Sequence, residues 1–212
     1  MDSIRKEEAS APNAYPDYSS RKYWDTRYTR EKGLSFDWLQ PYESIREIII
    51  TALKGDHEAE ILIIGCGNSQ LSEKLYEEGY RYITNIDFSS TVIEEMKLRH
   101  QHYEDIDYQC MDIRSLDVDP NSFQCIIDKA ALDCVFCSQD TAESVNKALE
   151  EVYRVLAPGG TYLCFSHGEP LVRGPFFQNI AGWKLSTDKL KKPAIVSEGA
   201  PYHYVYILNK DE

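Results

Sequence analysis

The apolar positions of this chain change their period as the sequence runs on. From Pro41 they fall at Ile45, Ile48, Ile49 and Leu53, a spacing that predicts an amphipathic helix, and Gly55-Asp56 breaks it. Short apolar runs then alternate with helical patterns. The runs are EILIIG (60–65), YITNID (82–87), DYQCMD (107–112), FQCIID (123–128) and TYLCFS (161–166), and the helical patterns lie at 69–78, 90–100 and 141–156. Strands and helices in turn predict an α/β fold, with a parallel sheet covered on both faces. After SHGEP (166–170) the alternation stops. GWKLSTDKL and YHYVYILNK read as two strands joined by a loop, an antiparallel hairpin at the sheet edge.

Residues 1–20 are rich in charge, Pro and Ser, and are expected to form a mobile tail ahead of a single domain over 21–212. No stretch approaches the roughly 20 apolar residues of a membrane span, and the N-terminus has no apolar core of a secretory signal. The six cysteines are scattered and read as reduced thiols of the cytosol or nucleus. Cys134 and Cys137 have a CxxC spacing but no second pair at zinc distance. The five histidines share no ligand spacing either, so no metal site is expected. The net charge of −12 argues against a nucleic-acid binder; it is compatible with a basic protein partner, although charge alone favours plain solubility as its explanation.

Chemistry concentrates where the first strand turns into a helix. Gly65-Cys66-Gly67 supplies a tight bend and close backbone approach, and Asp87 ends the second strand 22 positions after Gly65. An acid there can accept from both hydroxyls of a ribose. The third glycine of a dinucleotide fingerprint is replaced by Gln70, no Gly-Lys-Ser/Thr follows, and the loop has no cation for a phosphate. The site therefore calls for a nucleoside with little negative charge, a description that S-adenosylmethionine fits. Asp112, read as closing the third strand, can accept from an adenine amino group, and Phe88 and Ile113 add apolar surface for the ring. RVLAPGG (154–160) ends a helix directly before a strand.

With YWDTRY (23–28), FDW (36–38), IIGCGNSQLSEKLYEEGY, NIDFSS and IIDKAALD (126–133), the chain resembles the class I S-adenosylmethionine-dependent methyltransferases. Within that class it resembles a eukaryotic methyltransferase-like group that includes the enzymes methylating lysines, and in one case the N-terminus, of translation elongation factor 1-alpha. The resemblance implies a Rossmann-like fold with a mostly parallel seven-stranded sheet, an antiparallel C-terminal hairpin and helices on both faces. It also implies that Trp24, Tyr28 and Trp38 close over the cofactor, that Gly65 and Gly67 line its methionine part and that Asp87 holds the ribose. Phe88, Asp112 and Ile113 fall on the adenine side and Lys129 in the cofactor site. Asp128 and Asp133 would stand near the acceptor. Several have a plainer reading: the glycines as turn geometry alone, the N-terminal aromatics as an anchor, Lys129 as an exposed strand-end charge, and the two aspartates as braces of the turn after the strand. The group reads Asp-Lys-Gly-Thr-Leu-Asp where this chain has Ala130-Ala131, beside the acceptor entrance.

The activity implied is methyl transfer to a protein lysine, with translation elongation factor 1-alpha as target and a cytoplasmic monomer as the working form. A lysine has to arrive neutral although its reference pKa is about 10.4. No Asn-Pro-Pro-Tyr acceptor motif is present. A small-molecule methyltransferase, and a module that binds the cofactor without turnover, are the competing expectations. A nicotinamide-dependent oxidoreductase is disfavoured by Gln70.

Overall fold

The computed structural model describes residues 16–193 and 201–212. Of the tail expected over 1–20, residues 1–15 lie outside the described residues; within the remainder, Tyr18 packs edge-on against Tyr23 and Trp38. Among the described residues seven strands form one sheet: β1 (Ile61–Ile64), β2 (Ile83–Asp87), β3 (Ile106–Cys110), β4 (Phe123–Lys129), β5 (Leu156–Ser166), β6 (Trp183–Lys191) and β7 (Tyr202–Lys210). Their order is β3-β2-β1-β4-β5-β7-β6. The first five run parallel, and β7 lies antiparallel between β5 and β6. The seven-stranded, mostly parallel sheet with its edge hairpin is the expected α/β architecture.

The apolar runs explain this layering. Side chains alternate faces along a strand, so Ile61 and Ile63 of β1 enter one core while Leu62 and Ile64 enter the other. Helices α2 (Tyr42–Leu53), α3 (Leu71–Glu77) and α4 (Ser90–Arg99) cover the first face through Ile45, Ile49, Leu75 and Met96. Helix α6 (Thr141–Val155) covers the second through Val145, Leu149 and Val152. Each such side chain, fully buried, contributes about 1.5–3 kcal/mol. Lys54, in the left-handed conformation, ends α2 just before the Gly55-Asp56 break.

Three helices carry no clear periodic signal. In α1 (Arg21–Arg30) only Trp24 and Tyr28, one turn apart, are buried among polar neighbours. Helix α5 (Ala131–Val135) is five residues long, too short to show a period. Helix α7 (Pro170–Gln178) holds Gly174 and Pro175, residues that normally argue against a helix. Two boundaries also differ. Strand β3 ends at Cys110, so Asp112 lies beyond it, in a turn where it accepts from the backbone N of Arg114 (2.9 Å). Strand β5 begins at Leu156, and the pairing jumps from Phe123–Leu156 to Cys125–Thr161, which lets Pro158-Gly159-Gly160 loop out.

Between β4 and α5 sits Ala130 with φ of 76°, a left-handed conformation. A Cβ there costs roughly 1–2 kcal/mol. Ala130→Gly is therefore expected to stabilise the fold by about 1 kcal/mol, raising the thermal midpoint by about 2–4 °C. A scanning-calorimetry midpoint at or below that of the parent would contradict the strain.

Candidate active site

Strand order reverses between β1 and β4, and in open α/β sheets the crevice at the carboxyl ends of such strands binds ligands. The loops after β1, β2 and β4 meet there. Gly65 and Gly67 both have positive φ, 58° and 51°. A Cβ on Gly65 would stand 2.5 Å from the Ala131 Cβ at the start of α5, and one on Gly67 would stand 2.9 Å from the Tyr28 hydroxyl. The first contact is between fixed elements, whereas the second meets the tip of a side chain.

Asp87, 5% exposed, faces this loop. Its Oδ2 accepts from Gly67 N (3.1 Å) and its Oδ1 from Ser89 N (2.9 Å). Burial pushes the carboxyl up to about 6 against the pull of these two N–H groups, with Asp25 adding to the rise and Arg21 opposing it. One backbone donor on each oxygen leaves accepting capacity on both, and two neighbouring hydroxyls match that capacity. Ser89 also caps α4, its hydroxyl accepting from Val92 N.

Aromatic residues wall the crevice on its N-terminal side. Trp24 and Tyr28 are buried, with stacked rings 5.6 Å apart. Trp24 donates its indole N–H to the Tyr18 carbonyl (2.8 Å). Trp38 is half-buried, with the Arg27 guanidinium 4.9 Å from its ring centre. These contacts anchor the N-terminal segment and place its rings at the glycine loop. Phe88 is half-buried beneath Arg21, Ile113 is buried, and Asp112 is gripped by Arg114 through Nε (2.9 Å) and Nη2 (2.6 Å). Burial would raise the Asp112 carboxyl, but the Arg114 hydrogen bonds hold it below the usual range.

Lys129 is no exposed strand-end charge: it is buried and paired with Asp37, which also accepts from Ser69 Oγ. Burial lowers the Lys129 pKa while Asp37 opposes that change. One ion pair thus ties the FDW segment, the glycine loop and β4 together. Asp128 has no exposed surface; it accepts from Ala131 N (2.8 Å), Leu132 N (3.1 Å) and the Tyr162 hydroxyl (3.0 Å). Its oxygens brace the start of α5, and burial pushes its carboxyl up to about 7. Asp133 accepts from Ser166, His167 and Arg173. Among the described residues no cluster of His, Cys, Asp or Glu is arranged to hold a metal ion, and no helix is long and apolar enough to cross a membrane.

The family model described as "Methyltransferase domain" matches residues 62–164. EEF1A lysine methyltransferase 4 of Mus musculus is 30% identical over 204 residues, covering 91% of this chain and 76% of that protein. The chain belongs to the S-adenosylmethionine-dependent methyltransferases. Also similar is the eEF1A lysine and N-terminal methyltransferase of Danio rerio, 35% identical over 81% of this chain but only 25% of that protein. The chain thus spans about a quarter of that longer relative. Among solved structures, the N-methyltransferase NodS of Bradyrhizobium japonicum WM9 with S-adenosyl-L-homocysteine superposes at a TM-score of 0.65 and 18% identity, over 89% of this chain and 98% of NodS. At that identity the likeness speaks for the fold. The methyl donor of this methyltransferase is S-adenosylmethionine. The buried Asp87 carboxylate with capacity to spare, beside a loop that only glycine can form, fits such a nucleoside.

Lys129 and Asp133 were expected at this crevice, but their partners were not. Asp37 lies inside the FDW motif, but its partner Lys129 is 92 residues away. The partners of Asp133 are 33 to 40 residues distant. No local spacing signals either cluster.

Two measurements test this geometry. Because the Asp87 carboxyl is raised from 3.8 to about 6, its contribution to stability is present below about 3.8 and lost as pH rises through about 6. Cofactor binding has the opposite sign, since hydroxyl donors favour the carboxylate. Calorimetric affinity should weaken as pH falls through about 6, and Asp87→Asn should abolish both trends; an unchanged pH profile in that variant would remove Asp87 from the site. Secondly, Gly65→Ala is expected to cost about 2–4 kcal/mol from overpacking and left-handed strain together. Adding Ala131→Gly should recover the overpacking share, and purely additive denaturation energies would show that the two residues do not meet.

Proposed function

We propose that this chain transfers the methyl group of S-adenosylmethionine to a lysine side chain of a protein, and that the protein is translation elongation factor 1-alpha. The observation that carries the reading is the likeness to the mouse EEF1A lysine methyltransferase 4, which takes in 91% of this chain and so reaches well beyond the common 62–164 core. The net charge of −12 supports an acceptor with a basic surface.

In this reading Asp87 accepts from the ribose hydroxyls and the Gly65–Gly67 loop follows the methionine part. Phe88 and Ile113 flank the adenine, and the Asp112 Oδ2 can still accept from its amino group. Trp24, Tyr28, Trp38 and the Lys129–Asp37 pair close the wall. The donor, when bound, supplies a methyl group on a sulfonium, a leaving group ready for in-line displacement; the chain's own task is to align and desolvate. Asp128 serves by fixing the β4–α5 turn beside the acceptor entrance. The protein acts in this reading as a cytoplasmic monomer.

The test is incubation of the purified protein with methyl-labelled S-adenosylmethionine and either purified elongation factor 1-alpha or a cell lysate, followed by label detection and mass spectrometry. A single methylated lysine is expected. Asp87→Ala should weaken cofactor binding by about 10²–10⁴-fold, as loss of two hydrogen bonds to a charged group implies. Label confined to the small-molecule fraction of a lysate would favour a metabolite methyltransferase, and cofactor binding with no label anywhere would favour a silent binding module.

A further inference from the structure

The β4–β5 side of the crevice holds a cluster that cofactor binding leaves unused. Asp133, buried on α5, accepts four hydrogen bonds: from Ser166 Oγ (2.5 Å), His167 N (2.9 Å), His167 Nδ1 (2.6 Å) and Arg173 Nη2 (3.0 Å). Arg173 is itself buried, its guanidinium 3.6 Å from the centre of the Phe136 ring. Burial alone would raise the Asp133 carboxyl, but the His167 and Ser166 hydrogen bonds hold it below the usual carboxylate range. An ionised carboxylate only accepts, so the short contact to His167 requires the proton on Nδ1. The neutral ring then presents a lone pair at Nε2.

That ring is aimed outward: the His167 side chain is 60% exposed whereas Asp133 is 6% exposed. It stands directly after β5, at the sheet edge where Ala130 N donates to the Phe165 carbonyl (3.0 Å) and Ala131 crowds Gly65. The histidine therefore shares an edge with the loop that follows the methionine part of the donor. Buried Asp133 and Arg173 fix its orientation, yet its outer nitrogen has no partner in the hydrogen bonds of the cluster.

We propose that His167 is the general base of the methyl transfer, accepting at Nε2 the proton of the incoming lysine ammonium, with Asp133 as the residue that positions the ring. The proposal rests on the lysine reading above. The Nζ–H bond breaks and its proton passes to Nε2, leaving a neutral amine. The amine lone pair forms the C–N bond as the methyl C–S bond breaks, its electrons remaining on sulfur as the thioether. The product is a methylammonium, and the imidazolium returns its proton to water. Beyond Asp133 on α5 and Arg173 on α7, His203 on β7 interacts with His167 across the cluster, and Lys192, after β6, acts on His203.

The experiment measures kcat/KM against pH for the parent, for His167→Gln, whose amide can still donate to Asp133 but cannot take a proton, and for His167→Ala with and without imidazole. Near neutral pH both variants should lose roughly 100-fold. The deficit should shrink as pH rises toward the lysine's own pKa of about 10.4, where no base is needed. Imidazole should restore His167→Ala, and cofactor affinity should stay at the parental value in both variants; the thermal midpoint should stay near the parent's in His167→Gln and fall in His167→Ala, which takes a donor from Asp133. Nitrogen-15 NMR of the parent should place the neutral-ring proton on Nδ1. Parental kcat/KM and pH profile in His167→Gln, a deficit that persists at high pH, or a neutral-ring proton on Nε2 would each overturn the proposal while leaving lysine methylation standing. A parent that binds the cofactor and methylates no lysine would overturn both.

Discussion

Everything at this site depends on how closely the loop after β1 approaches the start of α5. Strands β1 and β4 are hydrogen-bonded neighbours, with Ile64 opposite Asp128, so the chain segments leaving them emerge side by side. Ala131 then lies where a side chain on residue 65 would have to go. Only a glycine in a left-handed bend satisfies both the turn and the contact. Once that approach is made, Gly67 N reaches Asp87, Ser69 reaches Asp37, and Asp37 reaches Lys129 on β4. Three loops become one polar surface because two backbones are pressed together.

That surface carries four buried charged positions, and the protein handles desolvation differently at each. Lys129 keeps a single carboxylate partner. Asp133 is met by a guanidinium, an imidazole, a hydroxyl and a backbone N–H, enough to keep it ionised. Asp128 has two N–H groups and a tyrosine hydroxyl but no cation, and burial prevails to about 7. Asp87 has two N–H groups alone and lies near 6. The carboxylate with fewest partners is the one facing the glycine loop, so a ligand bearing hydroxyl donors has most to offer there. Positions that are fully satisfied hold the structure, and the one left short keeps accepting capacity that a ligand could fill.

The same distinction explains what could be read from the chain. The β1–loop–α3–β2 unit and its acid are local: a strand, two glycines and an aspartate within 27 residues, in a pattern that geometry dictates. The parallel part of the sheet was legible because each of its strands carries its own apolar run, and the edge hairpin because the strand–helix alternation stops before it. Asp112 was placed at a strand end, although Arg114, two residues on, draws it into a turn. Asp37–Lys129 and the Asp133 cluster were not legible, because each joins residues that only the folded sheet brings together. Helices α5 and α7 were hidden for local reasons, brevity in one and a proline and glycine in the other.

Ala130 marks where these constraints collide. The turn from β4 into α5 needs a left-handed residue, a conformation that favours glycine, yet this chain places an alanine there. What holds it is visible around it: Ala130 N is bonded to Phe165 O, and Asp128 accepts from the next two backbone N–H groups. Those bonds fix the peptide on each side, so the strain is absorbed without moving Ala131 from Gly65 or Asp133 from His167. A substitution in this turn that left the bracing intact would change stability first. One that disturbed the bracing would move two parts of the crevice together, the glycine loop through Ala131 and the His167 side through Asp133.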